Sequence, residues 1–419
     1  MFGVQQGSHS PFSRCLDDAL PPRRGYPDRM TGDDQRGHAK WLRIPLVDGH
    51  NDLPWELREQ FSGDLSQVDL AEHSPSLQTD LPRLDTGGVA GQFWSVYVPP
   101  MPPGAAVITV LEQIDLVYRL VARYPQRMKI ARGADDVGRC MEDGRLASLL
   151  GAEGGHVIGS SLGVLRMLRA LGVSYLTLTH NTNVGWADSA TDKRSAGGLT
   201  DFGREVVREM QRIGMLVDLS HTSADTMRDT LITATLPVIF SHSSAYTVCR
   251  HPRNVPDDVL GALAINGGIC MVAFAAILVS QECADWQLGL VAEAGRRGMD
   301  QRDIAQVRSI LPEWLAGRPE PHADIAQVAD HIDHVREVAG LAHVGLGGDF
   351  DGTPDITTGL TDVSCYPALF AELRSRGWSY SDCTALACGN VLRVLSDAQT
   401  DIDVPSAADL TADLRDAPY

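Results

Sequence analysis

Several apolar stretches of this 419-residue chain end in a side chain that could bind a metal ion. Six of these side chains follow runs rich in valine, leucine and isoleucine, and they are His50, Asp52, Glu153, His221, His242 and Asp349. Imidazole nitrogens and carboxylate oxygens are common zinc ligands. Three histidines, two aspartates and one glutamate suit two zinc ions that share a carboxylate, and such a pair activates water for hydrolysis. The residue types therefore predict a binuclear hydrolytic metal site.

Each of these side chains also has an ordinary structural interpretation, since a histidine can bind the backbone and an aspartate can cap a turn. His50 and Asp52 alternate across Asn51, so both point to one side of an extended chain. A buried Glu153 would be costly unless it were paired or coordinated a metal. Asp48 is better placed to orient a neighbouring ligand than to be one. The combination favours the metal interpretation.

Neighbouring residues compete for three further roles. At the end of the last apolar run, Asp349 could both touch a metal and transfer a proton, whereas Asp351 belongs to a predicted turn. His180 ends another run and could donate a hydrogen bond to a developing oxyanion. Arg253 suits a substrate carboxylate, with Arg250 as the competitor. Each of these residues could also be purely structural.

Strand and helix patterns alternate along the chain in a way that could gather these residues. The eight β-type runs are 44–48, 89–98, 148–153, 173–180, 214–220, 236–241, 267–274 and 343–348. Helix-type apolar periodicity separates several of them, for example over 106–124 and 325–339. Eight such units predict a closed α/β barrel of the (β/α)8 TIM type, in which functional groups share the C-terminal rim.

The predicted organisation is a single domain with two polar ends. Residues 1–40 are expected to form a poorly ordered N-terminal arm, 41–400 the barrel domain, and 401–419 a polar C-terminal tail. A polar segment at 281–321 interrupts the pattern between strands seven and eight. We expect one or two helices there, packed on the rim.

Composition excludes several partners. The net charge of −18 argues against nucleic acid or an anionic membrane surface as a partner. The sequence contains no stretch of about 18 apolar residues, which is the length needed to span a membrane, and no secretion signal is visible at the N-terminus. The eight cysteines lack a zinc-binding Cys-x2-Cys pair and are interpreted as free thiols. These features predict a cytoplasmic enzyme.

Eight fragments, taken together and in this order, resemble the membrane (renal-type) dipeptidase family of binuclear zinc peptidases, within the amidohydrolase-like barrels. The fragments are DGHNDLPW (48–55), EGGH (153–156), LTLTHN (176–181), VDLSH (217–221), SHSSAY (241–246), RNVPD (253–257), GGDFDG (347–352) and GNVLRV (389–394). Any one is moderately specific, whereas eight in order are very specific. The match extends from about residue 44 to about residue 396.

The resemblance implies two zinc ions per chain, bridged by Glu153 and by a water or hydroxide. His50 and Asp52 would complete the first site, with Asp349 close by, and His221 and His242 would complete the second.

The resemblance also implies roles around the metals. His180 would stabilise the oxyanion, Arg253 would bind the terminal carboxylate of the substrate, and Asp349 would handle the proton. The family hydrolyses dipeptides, accepts D-residues at the C-terminal position and is often dimeric. A small dipeptide substrate and a homodimer are therefore expected.

This chain departs from the animal members in three ways. It shows no secretion signal or lipid-anchor tail, the 281–321 insertion is longer than usual, and Phe274-Ala275-Ala276-Ile277 replaces a more aromatic and polar segment. The last two differences are expected to alter the substrate pocket.

Two other functions compete with the dipeptidase interpretation. A barrel hydrolase acting on another small amide, lactone or ester often begins with His-x-His and bridges its metals with a modified lysine. Here the first strand carries His-x-Asp, at His50 and Asp52, and the bridging position carries Glu153. A catalytically dead scaffold would be expected to have lost a ligand, and all six are present.

Overall fold

The computed structural model describes residues 44–300 and 304–399, and within these ranges nine parallel strands form one sheet. The strands are β1 (Leu46–Asn51), β2 (Val89–Ser95), β3 (Met128–Ile130), β4 (Leu146–Glu153), β5 (Val173–Thr177), β6 (Leu216–Asp218), β7 (Ile239–Phe240), β8 (Ile269–Val272) and β9 (Val344–Leu346). Eight of them follow the order β1-β2-β4-β5-β6-β7-β8-β9, and the short β3 pairs only with β4. The predicted barrel is confirmed, while β3 was not predicted.

Helices lie between successive strands and cover the barrel. They are α1 (Leu53–Phe61), α2 (Leu81–Gly87), α3 (Pro103–Arg123), α4 (Ala134–Glu142), α5 (Leu162–Ala170), α6 (Asp201–Arg212), α7 (Ala224–Thr233), α8 (Asp257–Asn266), α9 (Ala276–Val279), α10 (Gln281–Arg296), α11 (Ile304–Ser309), α12 (Leu311–Leu315), α13 (Ile325–Ala339), α14 (Tyr366–Ser375), α15 (Tyr380–Thr384) and α16 (Asn390–Asp397). A π-helical turn, Ala385–Gly389, joins the last two. No described helix is both long enough and apolar enough to cross a membrane.

Local sequence signals explain where the helices begin. In α13, the side chain of Asp324 accepts the N–H of Gln327, and the Gln327 side chain binds the backbone N–H of Asp324 in return. This capping box satisfies two N–H groups that a helix leaves without partners. Proline near the start of α1 supplies a preset backbone angle just after the metal-type residues of β1.

The strand register sets the C-terminal rim of the barrel. Glu153 at the end of β4 lies level with Thr177 of β5, Thr177 lies level with Asp218 of β6, and Asp218 lies level with Ile239 of β7. Residues immediately beyond these positions therefore meet at one height. Strands β6 and β7 are shorter than predicted because Ser220 and Ser241 donate their N–H groups to the Asp218 carboxylate instead of continuing a strand ladder.

The two ends of the strand order meet at the same rim. The Asp349 N–H donates to the His50 carbonyl at 3.3 Å, and the Asp52 N–H donates to the Phe350 carbonyl at 2.9 Å. The Asp48 carboxylate adds a contact, because it accepts the N–H of Gly348. These bonds nearly close the sheet into a barrel at the level of the candidate metal site.

The described residues of the predicted insertion, which lies between β8 and β9, contain three helices, α10, α11 and α12, so the expected number of one or two was wrong. Pro312 lies at the start of α12, where a residue without an N–H begins a new helix more easily than it continues the previous one. Leu290, Ile310 and Trp314 form a small core of the insertion that is separate from the barrel core. The predicted arm and tail, at 1–40 and 401–419, lie outside the described residues.

Candidate metal centre and active site

The structure brings all six predicted ligands to the C-terminal rim. His50 is the next-to-last residue of β1, and Asp52 follows directly after this strand. Glu153 is the final residue of β4. The other three follow β6, β7 and β9 by two or three residues, and they are His221, His242 and Asp349. All are buried except Asp349, which is partly exposed.

Glu153 lies at the centre of the cluster, and its two oxygens face different partners. Oε2 is 3.5 Å from His50 Nε2. Oε1 is 3.0 Å from His221 Nε2 and 3.5 Å from His242 Nε2. Asp52 Oδ2 completes the first side at 3.1 Å from His50 Nε2. One carboxylate thus divides the ligands into two groups, as a bridge between two metal ions would.

The hydrogen bonds of His221 and His242 show which ring nitrogens face the centre without a proton. The Nδ1–H of His221 donates to the side-chain amide oxygen Oδ1 of Asn181 at 3.2 Å. The Nδ1–H of His242 donates to the Ser241 hydroxyl at 2.8 Å, because that hydroxyl already donates its own hydrogen to the Asp218 carboxylate. Both Nε2 atoms therefore present lone pairs, and they lie only 3.0 Å apart.

Such an arrangement fits a cation. Two imidazole lone pairs and a carboxylate converge with no donor among them, and Asp52 Oδ1 is buried without a hydrogen-bond partner among the described residues. Unpaired buried groups of this kind are costly unless they coordinate a metal. Triads within metal-binding distance also include His50, Asp52 and Glu153. The residues present thus fit the two metal ions that the sequence suggests.

The electrostatics of His50 point the same way. Burial lowers the pKa of His50, but electrostatic interactions with Tyr175, Asp52 and Glu153 outweigh burial and raise it well above its usual value. A negative surrounding of this kind stabilises any cation at Nε2, whether a proton or a metal ion. Conversely, burial, the Arg253 charge and the neighbouring His180 hold the pKa of His221 well below its usual range.

Asp349 and Arg253 face the centre from the rim. Asp349 falls within metal-binding distance of His50 and His242. Burial raises its pKa to about 7, with a contribution from Asp52 and Glu153 and opposition from His50 and Arg253. Arg253 donates one Nη2–H to the His242 carbonyl at 3.3 Å, while its Nε is buried with no partner in the described part of the chain. That free donor is available to an anionic group.

His180 lies against the same cluster. Its Nε2 is 3.9 Å from Glu153 Oε1, and its Nδ1 is buried and has no hydrogen-bond partner within residues 44–300 and 304–399. The ring packs between Tyr97 and His221, with centroid distances of 4.8 Å and 4.3 Å. Burial lowers the pKa of His180 to about 4. A neutral ring with one free nitrogen can still donate a hydrogen bond, although its distance also places it within reach of a metal beside Glu153.

The competing residues lie elsewhere. Asp351 accepts the N–H of Gln78 and ties the last rim loop to the segment before α2. Arg250 is exposed, and its backbone N–H binds the Gln281 side chain. Asp48 accepts N–H groups from His50 and Gly348, so it fixes the seam of the barrel and orients His50 without facing the cluster.

Sequence reasoning missed the side chains that orient the ligands. The Tyr175 hydroxyl lies 2.8 Å from His50 Nδ1, Asn181 binds His221, and Ser241 binds His242. Asn181 and Ser241 stand beside histidines that the sequence does single out. Tyr175 gave no signal, because a tyrosine inside a strand is ordinary core composition.

A family model described as "Membrane dipeptidase (Peptidase family M19)" matches residues 35–406 of this chain. The chain belongs to that family, as the resemblance predicted.

Individual relatives agree. Dipeptidase 3 of Mus musculus is 41% identical over 362 residues, which cover 85% of this chain and 65% of the mouse protein. The match thus spans less than two thirds of that relative. Dipeptidase AC, a metallopeptidase of known crystal structure, has a TM-score of 0.70 at 26% identity and covers 85% of this chain and 99% of its own. A Rhodobacter sphaeroides metallopeptidase liganded with a phosphinate mimic of the dipeptide L-Ala-D-Ala has a TM-score of 0.71 at 24% identity, with the same coverage.

Proposed function

We propose that this chain is a zinc-dependent dipeptidase with two metal ions in each barrel. The observation that carries the proposal is the position of Glu153, whose Oε2 faces His50 and whose Oε1 faces His221 and His242. Membership of the membrane dipeptidase family supports the reaction class.

The ligand sets follow from this division. His50, Asp52 and Glu153 would hold one zinc ion, with Asp349 close by, and Glu153, His221 and His242 would hold the other. Zinc bound there would supply an activated water near neutral pH and would polarise the substrate carbonyl.

The remaining polar groups account for substrate binding. The unpartnered Nε of Arg253 is a donor for the C-terminal carboxylate of a dipeptide. His180 would donate a hydrogen bond to the carbonyl oxygen as negative charge develops on it. Asp349 would carry the proton to the leaving nitrogen, because it stands beside both ligand groups and near Arg253.

The proposed substrates include dipeptides with a D-residue at the C-terminal position. The Rhodobacter metallopeptidase binds a phosphinate mimic of L-Ala-D-Ala, and the same class of substrate is proposed for this chain. Ala275 and Ala276 carry small side chains after β8, where a wide pocket would leave the configuration of that residue unrestricted.

The test is hydrolysis of matched L-Xaa-L-Xaa and L-Xaa-D-Xaa dipeptides by zinc-loaded protein. Glu153→Gln is expected to reduce cleavage to background, since an amide cannot bridge two cations. Ser95→Ala is the matched control, because it removes only a hydrogen bond of 3.2 Å to Glu153 Oε2. If wild-type protein binds two zinc ions and cleaves no dipeptide, another small amide, lactone or ester becomes the substrate class.

The homodimer and the cytoplasmic location stay predictions. Light scattering coupled to size-exclusion chromatography tests the first, and fractionation of the native cell tests the second.

A further inference from the structure

The Asp218 carboxylate lies beneath the candidate metal centre and collects four hydrogen bonds. It is fully buried at the end of β6. Oδ1 accepts the backbone N–H groups of Ser220 and Ser241, at 3.1 Å and 2.8 Å. Oδ2 accepts the hydroxyls of Thr177 and Ser241, at 2.5 Å and 2.7 Å. Each oxygen thus has a distinct set of donors.

Two of the serines that contact Asp218 are also connected to the histidines proposed to bind metal. The Ser241 hydroxyl gives its only proton to Asp218, so towards His242 Nδ1 it can act only as an acceptor. His242 must then carry its proton on Nδ1 and keep Nε2 free. On the other side, Ser220 is followed directly by His221, whose backbone has a left-handed φ of 67°. The Ser220 hydroxyl also accepts the N–H of His242 at 3.0 Å.

We propose that Asp218 is a positioning residue for the second metal site, acting on His242 through the Ser241 hydroxyl and on His221 through the Ser220 turn. The inference rests on the metal centre of the proposed function and assigns to it a group that binds no metal. A single carboxylate thereby sets the tautomer of one ligand and the backbone of the other.

Replacing Asp218 by asparagine reverses the direction of this relay. An amide oxygen at the Oδ1 position can still accept the N–H groups of Ser220 and Ser241, so the backbone keeps its partners. The amide N–H2 then faces the hydroxyls and donates to Ser241. The Ser241 hydroxyl is left to donate to His242 Nδ1, which places the ring proton on Nε2, where a metal would bind.

The experiment measures zinc binding and histidine tautomers without using activity. Metal-free protein is titrated with Zn2+ by calorimetry, and histidine ring nitrogens are recorded by 15N NMR. For Asp218→Asn we expect one of two binding events to weaken by about 10–100-fold and one histidine to shift towards its Nε2–H form. Ser241→Ala should weaken the same event less, because it frees the His242 ring without reversing its proton.

Thr177→Val is the matched control, since it removes one hydrogen bond to Asp218 and leaves the path to His242 intact. Its zinc titration should equal that of wild-type protein. The inference is overturned if Asp218→Asn binds both ions as tightly as Thr177→Val with unchanged ring tautomers. If Asp218→Asn fails to fold, an unaltered titration for Ser241→Ala overturns it instead. Wild-type protein that binds no zinc would contradict the proposed function itself.

Discussion

The aromatic ring of Tyr175 occupies the space that any side chain at Gly151 would fill. Tyr175 is fully buried on β5, and its hydroxyl reaches His50 Nδ1 on β1 while donating to the Gly49 carbonyl at 3.2 Å. Gly151 on β4 lies level with Tyr175 in the sheet. The proposed metal ligand His50 on β1 is therefore oriented by the ring of Tyr175 on β5, which passes over Gly151 on the intervening strand β4.

Gly151→Ala should displace this ring, because the added methyl group overlaps it. Overpacking of a tight core costs roughly 1–3 kcal/mol of unfolding free energy, and zinc binding at the His50 side should weaken as well. Tyr175→Phe keeps the ring and removes the hydroxyl, so it should weaken zinc binding with a smaller loss of stability. Chemical denaturation and zinc titration of both variants check this. Equal stability of Gly151→Ala and wild type would contradict it.

Gly352→Ala should disrupt the metal centre from the other end of the chain. A methyl group at Gly352 would overlap the carboxylate oxygens of Asp52 and Asp349. We expect loss of tight binding for at least one zinc ion, measured by equilibrium dialysis. Gly261→Ala in α8 is the control, since its methyl group meets open space and should stabilise the helix by about 0.5–1 kcal/mol. Two tightly bound zinc ions in Gly352→Ala would refute the prediction.

Arg253→Met should abolish selection for a free C-terminal carboxylate. A hydrogen bond to a charged group contributes about 1.5–3 kcal/mol, which corresponds to roughly 10–100-fold in kcat/KM. The measurement compares a dipeptide with its C-terminal amide. Wild-type protein should prefer the free acid, whereas Arg253→Met should treat the two alike. The exposed Arg250 supplies the control, and Arg250→Met should retain the preference. A preference that survives Arg253→Met would assign the carboxylate to another group.

His331 should make stability depend on acid pH. In α13 it accepts the Ala245 N–H at Nδ1 and binds the Val279 carbonyl through Nε2, both at 3.0 Å. Burial lowers its pKa to about 4. The neutral ring is favoured in the folded state, so its contribution is complete above about pH 6.5 and is lost as the pH falls towards 4.

The size of this contribution is roughly 3 kcal/mol, from 1.36 kcal/mol per pKa unit. His331→Gln can keep both hydrogen bonds without titrating, so its unfolding free energy should fall less between pH 6.5 and pH 4. Urea denaturation at several pH values measures the difference. His322→Gln, at an exposed position, should follow the wild-type curve. Parallel curves for wild type and His331→Gln would argue against the prediction.

Much of this architecture could be predicted because its signals are local. Alternating strand and helix patterns give the barrel, and ligands at the ends of apolar runs give the cluster, since parallel strands share one rim. Helix α13 has the predicted bounds, because a capping box and regular apolar spacing coincide there. The clustering of the six predicted side chains could also be anticipated, because each follows an apolar run, while their binding of metal stays a prediction.

The orienting contacts could not be predicted, because they join residues far apart in sequence. The Tyr175 hydroxyl reaches His50 because Gly151 has no side chain in the space that the Tyr175 ring fills. Neither a tyrosine nor a glycine within a strand predicts this contact from the sequence. The relay through Ser241 depends on which oxygen of Asp218 receives which donor. The strand β3 was missed because its three residues show no periodicity.

The contacts between β1 and β9 also bear on the order in which parts of the barrel form. The Gly348 N–H reaches Asp48 although 300 residues separate them in sequence. Contacts that close so long a loop form late in folding. A chain emerging from the ribosome would present His50 and Glu153 well before the strand that precedes Asp349 had been synthesised. A nascent or truncated chain without β9 would lack Asp349, although it would already carry the other five predicted ligands.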